Sequence, residues 1–132
     1  MTKVTERALL SDLLAGRLDA LPEVESWSHE HLARVAAELD LRLDPSAVAG
    51  VIDGYQEGRY PMTSVQRWAS LMRHGYCADA SGDPIEPIFI EYDERHESAI
   101  VEALSRLTEL GDVIDGELRP GESAELVSAL RG

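Results

Sequence analysis

Apolar residues recur at helical spacing through most of the chain, and no long stretch alternates cleanly between apolar and polar positions. The pattern predicts helices. The first spans about residues 5–16, with Leu10, Leu13 and Leu14 on one face, and reaches Leu18 if it continues past Gly16. Residues 19–26, which contain Pro22, read as a connection. Ser26 or Ser28 can then cap a second helix by accepting hydrogen bonds from its free first-turn amides, and Leu32, Val35, Ala36 and Leu39 follow at i, i+3, i+4 and i+7. Trp27, just before that helix, reads as a staple against its first turn.

Asp44 followed by Pro45 is a helix start, because aspartate caps open amides and proline's fixed φ suits the first helical position. Val48, Val51, Ile52 and Tyr55 form its apolar face, and Gly58 can close it. Gly50 and Gly54 lie inside it, four apart, and suggest a closely packed face. After the tight connection Arg59-Tyr60-Pro61, which favours antiparallel neighbours, Thr63 or Ser64 is expected to cap a helix carrying Val65, Trp68, Ala69 and Met72 and ending near Gly75. Trp68 is its central core residue.

The character changes from Tyr76 to Pro87, where acids, Ser81, Gly82 and two prolines replace the apolar period. Residues 76–92 are read as a long loop or extended segment. Ile88 to Tyr92 could be a short strand, an extended stretch or the approach to a helix, and with no evident partner for a lone strand the last two are preferred. Helix resumes near Asp93 with Ile100, Ala103, Leu104, Leu107 and Leu110 inward and Gly111 at its end, and residues 122–130 make a short terminal helix with Leu126, Val127 and Leu130. The expectation is all-α: one domain over residues 1–132, a bundle of five or six short helices with one long acidic loop. There is no internal repeat and no low-complexity tract.

Composition supports a core, since 44% of the 132 residues are hydrophobic. Charge narrows the function. There are 25 Asp and Glu against 12 Lys and Arg, a net −13, and Lys3 is the one lysine, so broad binding to a nucleic-acid backbone is not expected. A basic protein partner is. The single cysteine, Cys77, excludes an intramolecular disulfide and reads as a semi-buried structural thiol; the N-terminus has no apolar run of about 7 to 15 residues such as a secretory signal needs. No stretch approaches the roughly 20 apolar residues of a membrane span. A cytoplasmic protein is expected.

Candidate chemistry is sparse. His29 and His31 are two apart at a helix start and share no face, and His74 suits a helix C-terminus. His96 follows Asp93 by three, so the two would face the same way on a helix as a metal pair or an oriented general base. Glu91 and Glu94 could serve as acid and base. No nucleophile elbow or glycine-rich phosphate loop occurs, and no cofactor or metal is implied.

Net charge is −5 over residues 1–60, +2 over 61–76 and −10 over 77–132. Asp79, Asp83, Glu86, Glu91, Asp93, Glu94 and Glu97 lie within 19 residues, with Arg95 the one base among them and Tyr76, Phe89 and Tyr92 interleaved. Such a run is either a solvated face or an interface in which rings supply contact area and carboxylates steer a basic partner.

The order of a Gly58-Arg59-Tyr60 turn, Val65-Gln66-Arg67 leading into Trp68-Ala69-Ser70, the acidic stretch, Ala103-Leu104 to Leu110, and Ile114-Asp115-Gly116-Glu117-Leu118 before a short helix resembles small acidic helical immunity proteins of bacteriocin and contact-dependent toxin systems. The resemblance covers about residues 45–130 and contains no invariant chemical motif. It implies a non-catalytic inhibitor of a cognate toxin, often a basic nuclease. The partner surface is then expected at Asp79, Asp83, Glu86, Glu91, Asp93 and Glu94, with Tyr76 and Tyr92 as desolvated anchors. DNA mimicry by the carboxylates is a variant of that expectation. The competing expectations are a small metal-dependent hydrolase using His96 with Asp93 or Glu97, and a self-associating regulatory or scaffold domain; monomer and homodimer both stay open.

Overall fold

The computed structural model describes residues 3–76, 87–110 and 118–131, and 71% of these are helical. The fold is mainly α. Among the described residues there are seven α-helices and one two-stranded sheet. Helix α1 (Lys3–Leu14) buries Leu10, Leu13 and Leu14. The following stretch, expected as a connection, is instead a 3-10 turn (Leu18–Ala20) running into α2 (Leu21–Glu25). Pro22 falls in the first turn of α2, where its missing N–H would have no helical partner, so it starts the helix rather than breaking it. Leu18, Ala20, Leu21 and Val24 are all buried.

Helix α3 (His29–Ala36) begins as expected, with the Ser28 hydroxyl accepting the His31 amide hydrogen bond at 3.1 Å. Trp27 before it is buried and lies edge-on to His31, 5.2 Å between ring centroids. Helix α4 (Pro45–Gln56) starts after Asp44, although the aspartate side chain makes no capping bond, and helix α5 (Met62–His74) starts after Pro61. Thr63 and Ser64 therefore lie inside the first turn of α5 and do not cap it. Pro61 adopts the extended conformation of a cap residue, and its carbonyl accepts from Val65, which opens the helical ladder without a side-chain acceptor.

The paired-glycine expectation divides. A Cβ on Gly54 would come within 2.5 Å of the Tyr60 ring, so close packing holds there, whereas Gly50 is exposed with nothing within 4 Å. Helix α6 (Glu97–Thr108) packs chiefly on α5, and α7 (Pro120–Arg131) chiefly on α4, so α4 and α5 each have their main neighbour further along the chain rather than across the Arg59-Tyr60-Pro61 turn. Polar bonds fix these pairings. Gln56 donates to the Leu118 carbonyl at 2.9 Å and to the buried Ser123 hydroxyl at 2.7 Å, and Arg106 holds Glu122 through two nitrogens at 2.6 and 3.2 Å. Trp68 lies fully buried, as expected, and its indole donates to the Leu13 carbonyl at 2.7 Å, tying α5 to the end of α1.

The sheet was not expected. Arg42–Leu43 (β1) pairs in parallel with Glu91–Tyr92 (β2), with Arg42 opposite Glu91 and Leu43 opposite Tyr92. The partner that Ile88 to Tyr92 lacked in the sequence comes from the linker between α3 and α4.

Candidate functional site

Local chain geometry builds the site from the end of α5. Gly75 closes that helix in the left-handed region (φ 82°) and its carbonyl accepts the Ile88 amide hydrogen bond at 2.8 Å. From Pro87 the chain runs extended to β2, where Glu91 and Asp93 donate to the Leu41 and Leu43 carbonyls at 2.8 and 3.2 Å. Side chains consequently alternate. Ile88, Ile90 and Tyr92 turn toward the core, while Phe89 and Glu91 stand exposed.

Tyr92 is half-buried and its hydroxyl donates to the Met72 carbonyl at 2.9 Å. Burial pushes its pKa above the ordinary tyrosine value, with the Glu97 carboxylate adding to the rise and Arg73 opposing it. Asp93 ends the strand. Its carbonyl accepts from the His96 amide at 3.0 Å, closing the 3-10 turn Glu94–His96, and its carboxylate meets His96 Nδ1 at 2.8 Å. The expected Asp93 and His96 pair thus exists, although it forms across a 3-10 turn.

A cleft of about 860 Å³ opens between the end of α5 and residues 87–97. Phe89, Glu91, Tyr92, Asp93, Glu94 and Glu97 line it together with Arg42, Arg73, His74 and Arg95. Phe89, the chain's one phenylalanine, is 79% exposed there. Four carboxylates face three guanidinium groups, so the cleft is far closer to balance than the acidic run suggests in sequence. Arg42 approaches Glu91 at 3.8 Å, and Arg73 reaches back to the Thr108 hydroxyl at 3.5 Å.

The residues expected to bind a partner separate into three groups. Glu91, Tyr92, Asp93 and Glu94 come together in the cleft. Tyr76 does not line it; its ring lies 6.1 Å from that of His29 and 6.2 Å from that of His74. Asp79, Asp83 and Glu86 lie outside the described residues, as does Cys77. The Tyr92 hydroxyl is engaged by the protein's own backbone, at the Met72 carbonyl. Phe89 carries the free ring, and Arg42 and Arg73 enter the site from elements whose sequence gave no sign of it.

Other polar clusters have local roles. His31 pairs with Glu6 across α1 and α3, while His29 is buried with Nδ1 unpartnered. Glu91 and Glu94 both stand in solvent. Among the described residues no group of three His, Cys, Asp or Glu side chains is placed to hold a metal ion, and no helix is long and apolar enough to cross a membrane. A second groove, of about 360 Å³, lies between α6 and α7 and is lined by Glu102, Glu109, Glu122 and Glu125, with Arg106 already bound to Glu122. No protein-family model, curated protein or solved structure matches the chain.

Proposed function

We propose that this chain is a non-catalytic binding protein of the cytoplasm that uses the cleft beside β2 to neutralise a basic protein partner, in the manner of an immunity protein acting on its toxin. The observation that carries the reading is Phe89, 79% exposed on the extended segment leading into β2, where Glu91, Asp93 and Glu94 present carboxylates to the same cleft. A rigid ring can supply desolvated contact area, and flanking charges set register. The net −13 of the chain adds a long-range field that speeds encounter with a cation-rich surface and weakens with salt.

The test is capture of the partner on the tagged chain, followed by stopped-flow association over a range of salt concentrations. Replacing Glu91, Asp93 and Glu94 together by Gln, Asn and Gln should slow association about tenfold at low salt and flatten its salt dependence. Phe89→Ala should act on dissociation instead, by about 30-fold for a central aromatic worth roughly 2 kcal/mol. Kinetics unchanged in both variants would remove the cleft as the interface.

The Asp93 and His96 pair at 2.8 Å keeps the hydrolase as a second reading, because a carboxylate on Nδ1 orients an imidazole for general-base work. One tightly held transition metal per purified chain, or loss of a hydrolytic activity in His96→Gln, would favour it over the binding protein.

A further inference from the structure

We infer that the outer edge of β2 takes up an extended basic segment of the partner as a third strand; this rests on the binding function proposed for the cleft. The ladder to β1 uses the amides of Glu91 and Asp93, which donate to Leu41 and Leu43. In an extended strand the intervening residues direct their amides and carbonyls the opposite way, so those of Ile90 and Tyr92 belong to the other edge. On that edge the Ile88 amide is already taken by the Gly75 carbonyl at the end of α5, so the open stretch is Ile90 to Tyr92: among the described residues no strand pairs with it, since the sheet has only β1 and β2, and no backbone bond from the Ile90 or Tyr92 amide is formed there. An unpaired edge is a template for strand addition.

The outward side chains of the same strand specify what would be added. Phe89, Glu91 and Asp93 recur at period two and all line the cleft. In an antiparallel addition the residues opposite them are the non-hydrogen-bonded pairs, whose side chains approach most closely. An apolar residue opposite Phe89 and cations opposite Glu91 and Asp93 would therefore be complementary. Arg42 already lies near Glu91, but the pair is 3.8 Å apart with both side chains more than half exposed, and so is readily exchanged. Asp93 is shared with His96 through Oδ2. The occupant is thus an extended segment in which an apolar residue and two Lys or Arg alternate with other residues.

The probe is an end-blocked peptide, Thr-Arg-Thr-Arg-Thr-Leu, which stops short of the Gly75 contact at Ile88, titrated into the full chain with amide exchange followed residue by residue. Saturable binding should slow exchange of the Ile90 and Tyr92 amides at least tenfold and leave those of Glu91 and Asp93, already bonded to β1, within about twofold. N-methylation of the two threonines that face Ile90 and Tyr92 should weaken binding at least tenfold, and N-methylation of the two arginines by no more than about twofold. Equal losses from the two methylations, binding without protection of Ile90 and Tyr92, or no saturable binding would each overturn strand addition. The cleft function fails by a separate readout, namely partner kinetics that ignore both Phe89→Ala and the triple carboxylate replacement.

Discussion

Three glycine-to-alanine replacements separate backbone strain from steric exclusion at the base of the cleft, and their order is fixed by geometry. Gly58 and Gly75 share nearly the same left-handed conformation, φ 76° and 82°. An alanine in that region costs about 1–2 kcal/mol relative to glycine, and a Cβ at Gly58 meets nothing within 4 Å, so Gly58→Ala should lose about that much and no more. At Gly75 the same Cβ would fall on the Ile88 carbonyl oxygen, a backbone atom that cannot rotate aside. The strand segment must move, and the 2.8 Å bond from the Ile88 amide to the Gly75 carbonyl goes with it, adding about 0.5–1.5 kcal/mol. Gly75→Ala should therefore cost about 1.5–3.5 kcal/mol. Gly50, in a helix interior facing open space, reverses the sign, and Gly50→Ala should stabilise by about 0.5–1 kcal/mol. Chemical denaturation reads all three, and in thermal unfolding each kcal/mol is about 3–5 °C for a chain of this length. If Gly75→Ala is no worse than Gly58→Ala, Ile88 does not lie against Gly75 and the cleft wall described above is wrong.

Two further outcomes follow from buried polar contacts. Because burial raises the Tyr92 pKa, the unfolded chain ionises first as pH rises; its stabilising effect is complete below the ordinary tyrosine value near 10 and is lost as pH climbs through the folded value, so Tyr92→Phe should flatten the alkaline loss of stability while costing about 1 kcal/mol at neutral pH for the Met72 bond. An unchanged alkaline limb would show that Tyr92 is not the titrating group. Trp68→Phe removes the indole bond to Leu13 and leaves a void in a fully buried site, and should lower the unfolding free energy by about 2–3 kcal/mol, read as a lower denaturant midpoint with an unchanged slope.

The helical part of the fold was legible where local chemistry decides it. Ser28 before α3 marks a helix start through its capping bond and Pro45 marks the start of α4 through its fixed φ, while Gly58 and Gly75 mark ends. The sheet was illegible because each strand has two residues and the partners lie some fifty positions apart, too short for a period and too distant for a turn signal. Phe89 obscured it further, since an apolar side chain on the outward face makes Ile88-Phe89-Ile90 look uniformly buried. Sequence reads Tyr92 as an anchor because it sits among the acids, and nothing in the sequence shows that its hydroxyl serves the Met72 carbonyl while Phe89 stands exposed. Glu91, Asp93 and Glu94 are close in sequence and share the cleft, but Arg42 and Arg73 reach them from β1 and α5, and a count along the chain cannot see charges contributed by other elements.

That balance of charge changes how the proposed binding would work. With four carboxylates and three guanidinium groups around the cleft, little of the −13 is concentrated there. The α6 and α7 groove carries four glutamates whose one arginine is already engaged, and in the proposed binding it would supply field rather than contact. Steering and registration are then separate properties of separate surfaces. Replacing Glu102, Glu109 and Glu125 by Gln should reduce the association rate through the net charge alone, with its effect vanishing at high salt and dissociation untouched. The cleft carboxylates should also slow association, but unlike the groove glutamates they should, with Phe89, alter dissociation, because their partners would be desolvated in the complex. A groove variant that speeds dissociation would place the contact surface on α6 and α7 and displace the cleft.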